Sequence, residues 1–171
     1  VSSTGGLQVR PRHRLLLVAG ITIAVLATGL GLWLRGSPAA LPVDADRLVP
    51  AATPVSEPVY VGMFTAPADF GRTLHLSGVK VQATSNVAVS LTPLLCRAGS
   101  IGVTTEPESF CRQLVNPEGQ DLSAGDSILL QVVSDQPAVA VVDPVRLAFS
   151  EDLQWATLPA GTGAVVNVLP R

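Results

Sequence analysis

The chain has 171 residues, of which 47% are apolar and only 14% charged, a greasier balance than a soluble domain of this size usually shows. Length allows about one domain, and a single apolar stretch is long enough to cross a bilayer, which excludes a disordered chain, a two-domain enzyme of usual size and a multi-spanning transporter. Charge is uneven: residues 1–54 hold five arginines against Asp44 and Asp46, while residues 55–171 hold six basic against eleven acidic side chains. An acidic C-terminal part gains nothing from counterion release on a polyanion, so no nucleic-acid partner is expected. One lysine, Lys80, stands against ten arginines among abundant Ala, Val, Gly and Pro, an actinobacteria-like composition of the kind associated with high-GC bacteria.

Residues 1–14 read as a basic cytoplasmic tail, with Arg10, Arg12, Arg14 and His13 and no acid. Residues 15–34, LLLVAGITIAVLATGLGLWL, carry no charge, and 20 residues rising about 1.5 Å each span about 30 Å, the thickness of the hydrocarbon core. Thr22 and Thr28 can bond back to their own helix, and Trp33 lies where an interfacial aromatic belongs. A single transmembrane helix is therefore predicted in the lipid bilayer of the cell membrane. The three arginines before it place the N-terminus in the cytoplasm and the remainder outside, by the positive-inside rule. A cleaved secretory signal is the competing reading, with small residues at Ser37 and Ala39. Against it, the apolar run exceeds the usual 7 to 15 residues and Arg35 separates it from any cleavage site. Gly20, Ala24 and Thr28 recur every four residues, a small-residue line along which a second helix could pack.

Five prolines between Gly36 and Pro58 make residues 35–58 an expected Pro/Ala-rich linker of polyproline II character, a spacer of up to about 70 Å. Proline at this density argues against helix and central strand alike.

Residues 59–171 consist of short apolar runs cut by turn signals. Val59 to Phe64 is one run. Leu74 and Leu76, then Val79, Val81 and Ala83, alternate with polar residues, and the step at Ser77-Gly78 shifts the phase by one, as a bulge would. Val87, Val89 and Leu91 alternate as well. Ile128 to Val133, Ala138 to Val142, Val145 to Phe149 and Ala164 to Leu169 are further strand candidates. Turn residues separate them, including Asp143-Pro144 and Pro159-Ala160-Gly161; helix is confined to a turn or two near Glu106 to Leu114. Seven or eight short strands in this length predict an all-β, antiparallel two-sheet sandwich of immunoglobulin-like type, with a small closed barrel as the alternative.

Cys96 and Cys111 are the only cysteines and fall in the part expected outside the cytoplasm, so a disulfide is expected. It should pin a local excursion, because the long spacing and intervening Trp of an antibody-type bridge are missing. No CxxC pair or clustered His points to redox or metal chemistry.

The enzyme inventory is thin. His75 lies between Leu74 and Leu76 and should point outward if they point inward. Asp69, His75 and a serine could be imagined as a triad, yet no G-x-S-x-G elbow accompanies them. Zinc or copper would need more ligands than His75 and Met63 supply. The acids form no calcium loop, and Glu106/Glu108 and Glu151/Asp152 read as solvated turn charges. Trp155 is expected in the core, with exposure as the alternative that would suggest recognition. No cofactor and no metal are expected. The sequence thus predicts a membrane-anchored extracytoplasmic interaction module, an accessory or scaffold subunit of a bacterial cell-envelope complex with a membrane or envelope protein partner. A stalked receptor for an envelope ligand and an extracytoplasmic hydrolase are the alternatives.

Overall fold

Strands form wherever one phase of the alternation can be buried, and the largest sheet bends where that alternation is interrupted. The computed structural model describes Gly29 and residues 38–171; the expected tail with Arg10, Arg12 and Arg14, the expected helix and its Gly20, Ala24 and Thr28 line lie outside the described residues. Among the described residues no helix is long and apolar enough to cross a membrane. The strands are β1 (Val43–Pro54), β2 (Val59–Thr65), β3 (Leu74–Lys80), β4 (Ala83–Ser85), β5 (Ser90–Arg97) and β6 (Val103–Thr104). A 3-10 turn at Pro107–Ser109 is followed by β7 (Gln113–Val115), β8 (Asp121–Leu122), β9 (Ser127–Val133), β10 (Ala138–Val142), β11 (Val145–Glu151) and β12 (Gln154–Leu169).

Two sheets face each other as a sandwich. The smaller runs β6-β2-β9-β5-β7 and is antiparallel throughout. The larger is built on β12: β11 and β10 lie end to end along one flank, from Glu151 opposite Gln154 to Ala138 opposite Val168. β3 and β4 continue outward from them, and β8 closes the edge. Along the other flank β1 pairs with the second half of β12, in parallel, from Val43 opposite Gly161 to Pro54 opposite Leu169.

This strand corrects the linker expected over residues 35–58. The sandwich begins at Pro38, and Val43–Pro54 is part of it. Proline does oppose a central strand, but β1 has a neighbour on one side only, and an edge tolerates Pro50 and Pro54. The turn expected at Pro159-Ala160-Gly161 is likewise a stretch of continuous strand. Residues 154–160 of β12 are flanked by β11 alone, so Pro159 also sits on an edge. From Val142 opposite Ala164 to Val145 opposite Ala160, β12 advances one residue more than its neighbour. Gly161 takes up the bulge at φ 75°, a conformation that favours glycine. A Cβ there would collide with the Met63 carbonyl of the facing sheet. Asp143-Pro144 and Val81-Gln82 interrupt the neighbouring strands at the same level, with the Asp143 N–H donating to the Gln82 carbonyl at 3.0 Å. The sheet therefore has a crease dividing a lower half (β3, β11, the start of β12) from an upper half (β4, β10, the end of β12, β1).

The bulge expected at Ser77-Gly78 is present: Ala148 pairs with Gly78 and Phe149 with Leu76, leaving Ser77 unopposed. The alternation at Val87 and Val89 precedes β5 and is not itself strand. Leu74, Leu76, Ile128, Leu130, Leu147 and Phe149 fill the space between the sheets, each contributing about 1.5–3 kcal/mol by full burial. Met63 is spent in this core.

Candidate functional site

Outward positions of the lower half are mostly polar, with Trp155 and Pro159 the exceptions on β12. Cross-strand register sets Asp121, His75, Ser150 and Trp155 in one row and Lys80, Arg146 and Pro159 in another. His75 points outward as its leucine neighbours require, and its Nδ1 is 2.9 Å from an Asp121 carboxylate oxygen, both side chains more than half exposed. Among the described residues no three His, Cys, Asp or Glu side chains are grouped to hold a metal.

Trp155 is not in the core. It is 73% exposed, and Leu153 at the hairpin tip is 96% exposed. The inward phase of β12 is taken by Ala156, Leu158 and Ala160, which leaves Trp155 on the outer one. The expectation of solvated turn charges holds for Glu106, Glu108 and Asp152 and fails for Glu151. Arg72 Nε and Nη2 donate to the two Glu151 carboxylate oxygens, the first at 2.8 Å, while its Nη1 donates to the Ala39 carbonyl at 2.9 Å. One guanidinium thus ties the incoming chain to the turn end of the β11–β12 hairpin, with the Phe70 ring beneath it.

The upper half is different. Val139 and Val141 of β10 are 50% and 40% exposed. Register places Val141 beside Val165 and then Pro50, and Val139 beside Asn167 and then Ala52. Leu48 and Leu169 extend the same apolar surface. Thr84 and Asn167 supply the polar groups at these paired outward positions, and no charge lies among them. Sequence reasoning missed this face because a run such as Ala138 to Val142, apolar in both phases, reads as a strand covered on both sides. The signal was the run itself, with no second covering element among the described residues.

Two polar features brace the sandwich. Cys96 and Cys111 form a disulfide with Cα atoms 5.2 Å apart. It packs with Leu129 in a small cluster separate from the main core, so it pins the excursion between β5 and β7 rather than joining the sheets. Asp126, almost fully buried, accepts from the Ala98 N–H at 3.0 Å, from Arg97 Nη1 at 2.9 Å and from the Ser123 N–H and hydroxyl at 3.1 and 3.2 Å. Burial alone would push this carboxyl up; the donors of Ala98, Ser123 and Arg97 outweigh it and hold the carboxyl below its ordinary value. Beside the start of β1 a cleft of about 430 Å³ is walled by Val43, Asp44, Arg47, Met63, Ile101 and Gly161.

Comparison with protein-family models, with curated proteins and with solved structures finds no match for this chain.

Proposed function

We propose that the chain is a single-pass membrane protein whose extracytoplasmic sandwich works by binding, as an accessory or scaffold subunit of a bacterial envelope complex. The observation that carries this reading is the uncharged apolar face of the upper half-sheet. Nothing in the sandwich covers it, and contiguous exposed apolar surface of this kind marks protein contact more often than idle surface. The occupant we assign is a second protein of the envelope, because the face is continuous across three strands and carries no charge at its paired outward positions.

The uncharged stretch 15–34 between Arg14 and Arg35 supports the anchor and its orientation, and the disulfide supports an oxidising compartment. An immunoglobulin-like arrangement is supported by strand order. Taken in chain order, β2, β9 and β5 are neighbours in one sheet and β12, β11 and β3 in the other, the B-E-D and G-F-C order of such sandwiches. The cleft beside β1, with Arg47 and Asp44 on its walls, favours a receptor for an envelope ligand, without the expected stalk, as the second reading. A hydrolase is disfavoured because His75 and Asp121 stand on an open sheet face.

Extraction of the full chain from native membranes in mild detergent tests the proposal. A stoichiometric protein partner is expected, lost with V139D/V141D and weakened by G20L/T28L if the helix line also packs. Recovery of the chain alone would contradict it.

A further inference from the structure

The β11–β12 hairpin carries the two most exposed large apolar side chains among the described residues, Leu153 and Trp155. It is also the part of the sandwich to which the incoming chain is tied. Arg72 grips Glu151, the last residue before the hairpin turn, and the Ala39 carbonyl with the same guanidinium. Ala39 is five residues beyond Leu34, the end of the expected membrane segment, and five residues reach about 18 Å when fully extended. Because β1 takes up residues 43–54, the long spacer that would have carried the sandwich away from the bilayer does not exist. On the anchored reading of residues 15–34, a tether this short keeps the hairpin tip within reach of the membrane surface.

Its chemistry suits that place. An indole offers an apolar ring and one N–H donor, the combination that settles at the headgroup level, and a neighbouring leucine adds apolar area. At this same end the loops 66–73, 98–102 and 123–126 contribute one exposed charged side chain, Asp69, and the segment entering β7 beside Arg97 adds Arg112. We infer that Leu153 and Trp155 are seated in the bilayer interface, so that the sandwich is held at the membrane by the hairpin as well as by its covalent tether. The partner is the lipid surface itself, through apolar insertion rather than attraction to anionic headgroups, since Asp152 lies between Glu151 and Leu153. This inference rests on the anchored reading of residues 15–34.

The chain has two tryptophans, Trp33 and Trp155, and each serves as the probe for one claim. The full chain is reconstituted in phosphatidylcholine vesicles as W33F, leaving Trp155, and as W155F, leaving Trp33, with and without phosphatidylcholine brominated near the headgroup. Both emissions are expected to be quenched by the brominated lipid, with Trp155 shifted to the blue of a hydrated indole. Adding L153D to W33F is expected to abolish the quenching while the far-ultraviolet circular dichroism stays unchanged. Persistence of quenching in that variant would remove the hairpin as the seated element. Trp33 quenched with Trp155 unquenched and hydrated would overturn the inference and leave the anchor standing. Neither quenched would overturn both.

Discussion

The two halves of the large sheet share β12, meet at one crease and bury the same kind of inner face, yet their outer faces differ in kind. Below Gly161 the outward rows hold His75, Lys80, Arg146, Ser150 and Asp121; above it they hold Val139, Val141, Val165, Pro50 and Ala52. Folding needs the inward phase and is nearly indifferent to the outward one, since an exposed Arg146 and an exposed Val141 leave the core equally filled. What stands on the outer face is therefore set by what that face meets. A half whose outer rows are polar except at the hairpin end, where Trp155 stands, and an apolar half that faces a protein partner is the simplest arrangement that accounts for both.

The comparison depends first on the crease. Gly161→Ala adds a Cβ against the Met63 carbonyl at a backbone angle that favours glycine, and is expected to destabilise the domain by about 3–5 kcal/mol. Thermal unfolding of the full chain in detergent measures this; an unchanged midpoint would show that the two halves are not coupled through Gly161. Removing the disulfide as C96S/C111S should cost about 3 kcal/mol, from a loop of 15 residues. Because the bridge belongs to the smaller sheet, the loss should leave partner binding by the upper half intact at temperatures where the variant is folded.

Asp126→Ala leaves the Ala98 and Ser123 donors without their acceptor and should cost about 2 kcal/mol. This group also gives the domain an acid-sensitive increment. Its carboxyl is held below the ordinary value of about 3.9, so the folded state releases the proton more readily than the unfolded one. The stabilisation is complete above about pH 4 and is lost as pH falls through the lower folded value. Unfolding curves from pH 6 to pH 2 should show the variant losing less stability than the parent over the acid end. The smallest effect on stability is expected on the apolar face: V139D/V141D should shift the unfolding free energy by about 0.5 kcal/mol or less while partner binding falls at least tenfold, the scale of a lost interface anchor. Equal losses of stability and binding would mean that the face belongs to the fold.

Much of this architecture was legible from apolar runs and alternation. β2, β9, β10 and β11 follow from short apolar runs cut by turn signals, and β3 with its Ser77 bulge from period-two alternation, because one phase of that strand must be buried. β1 was hidden by Pro50 and Pro54, and the first half of β12 by Pro159 and Gly161. In both cases the breaker is real, but it stands on an edge, and edge status is decided by neighbours distant in sequence. Trp155 was legible in principle, since Ala156, Leu158 and Ala160 claim the inner phase. The Arg72 clamp was not: its partners, Ala39 and Glu151, are 33 and 79 residues away, and no local pattern links them.

The most direct measurement places a photo-crosslinking amino acid at position 141 or at position 146 of the full chain in native membranes. Each replaces an outward side chain, one in the upper half and one in the lower. A discrete protein adduct from position 141 and none from position 146 is the predicted result. Adducts of equal yield from both positions, or from position 146 alone, would contradict the assignment of the apolar half-sheet as the docking face.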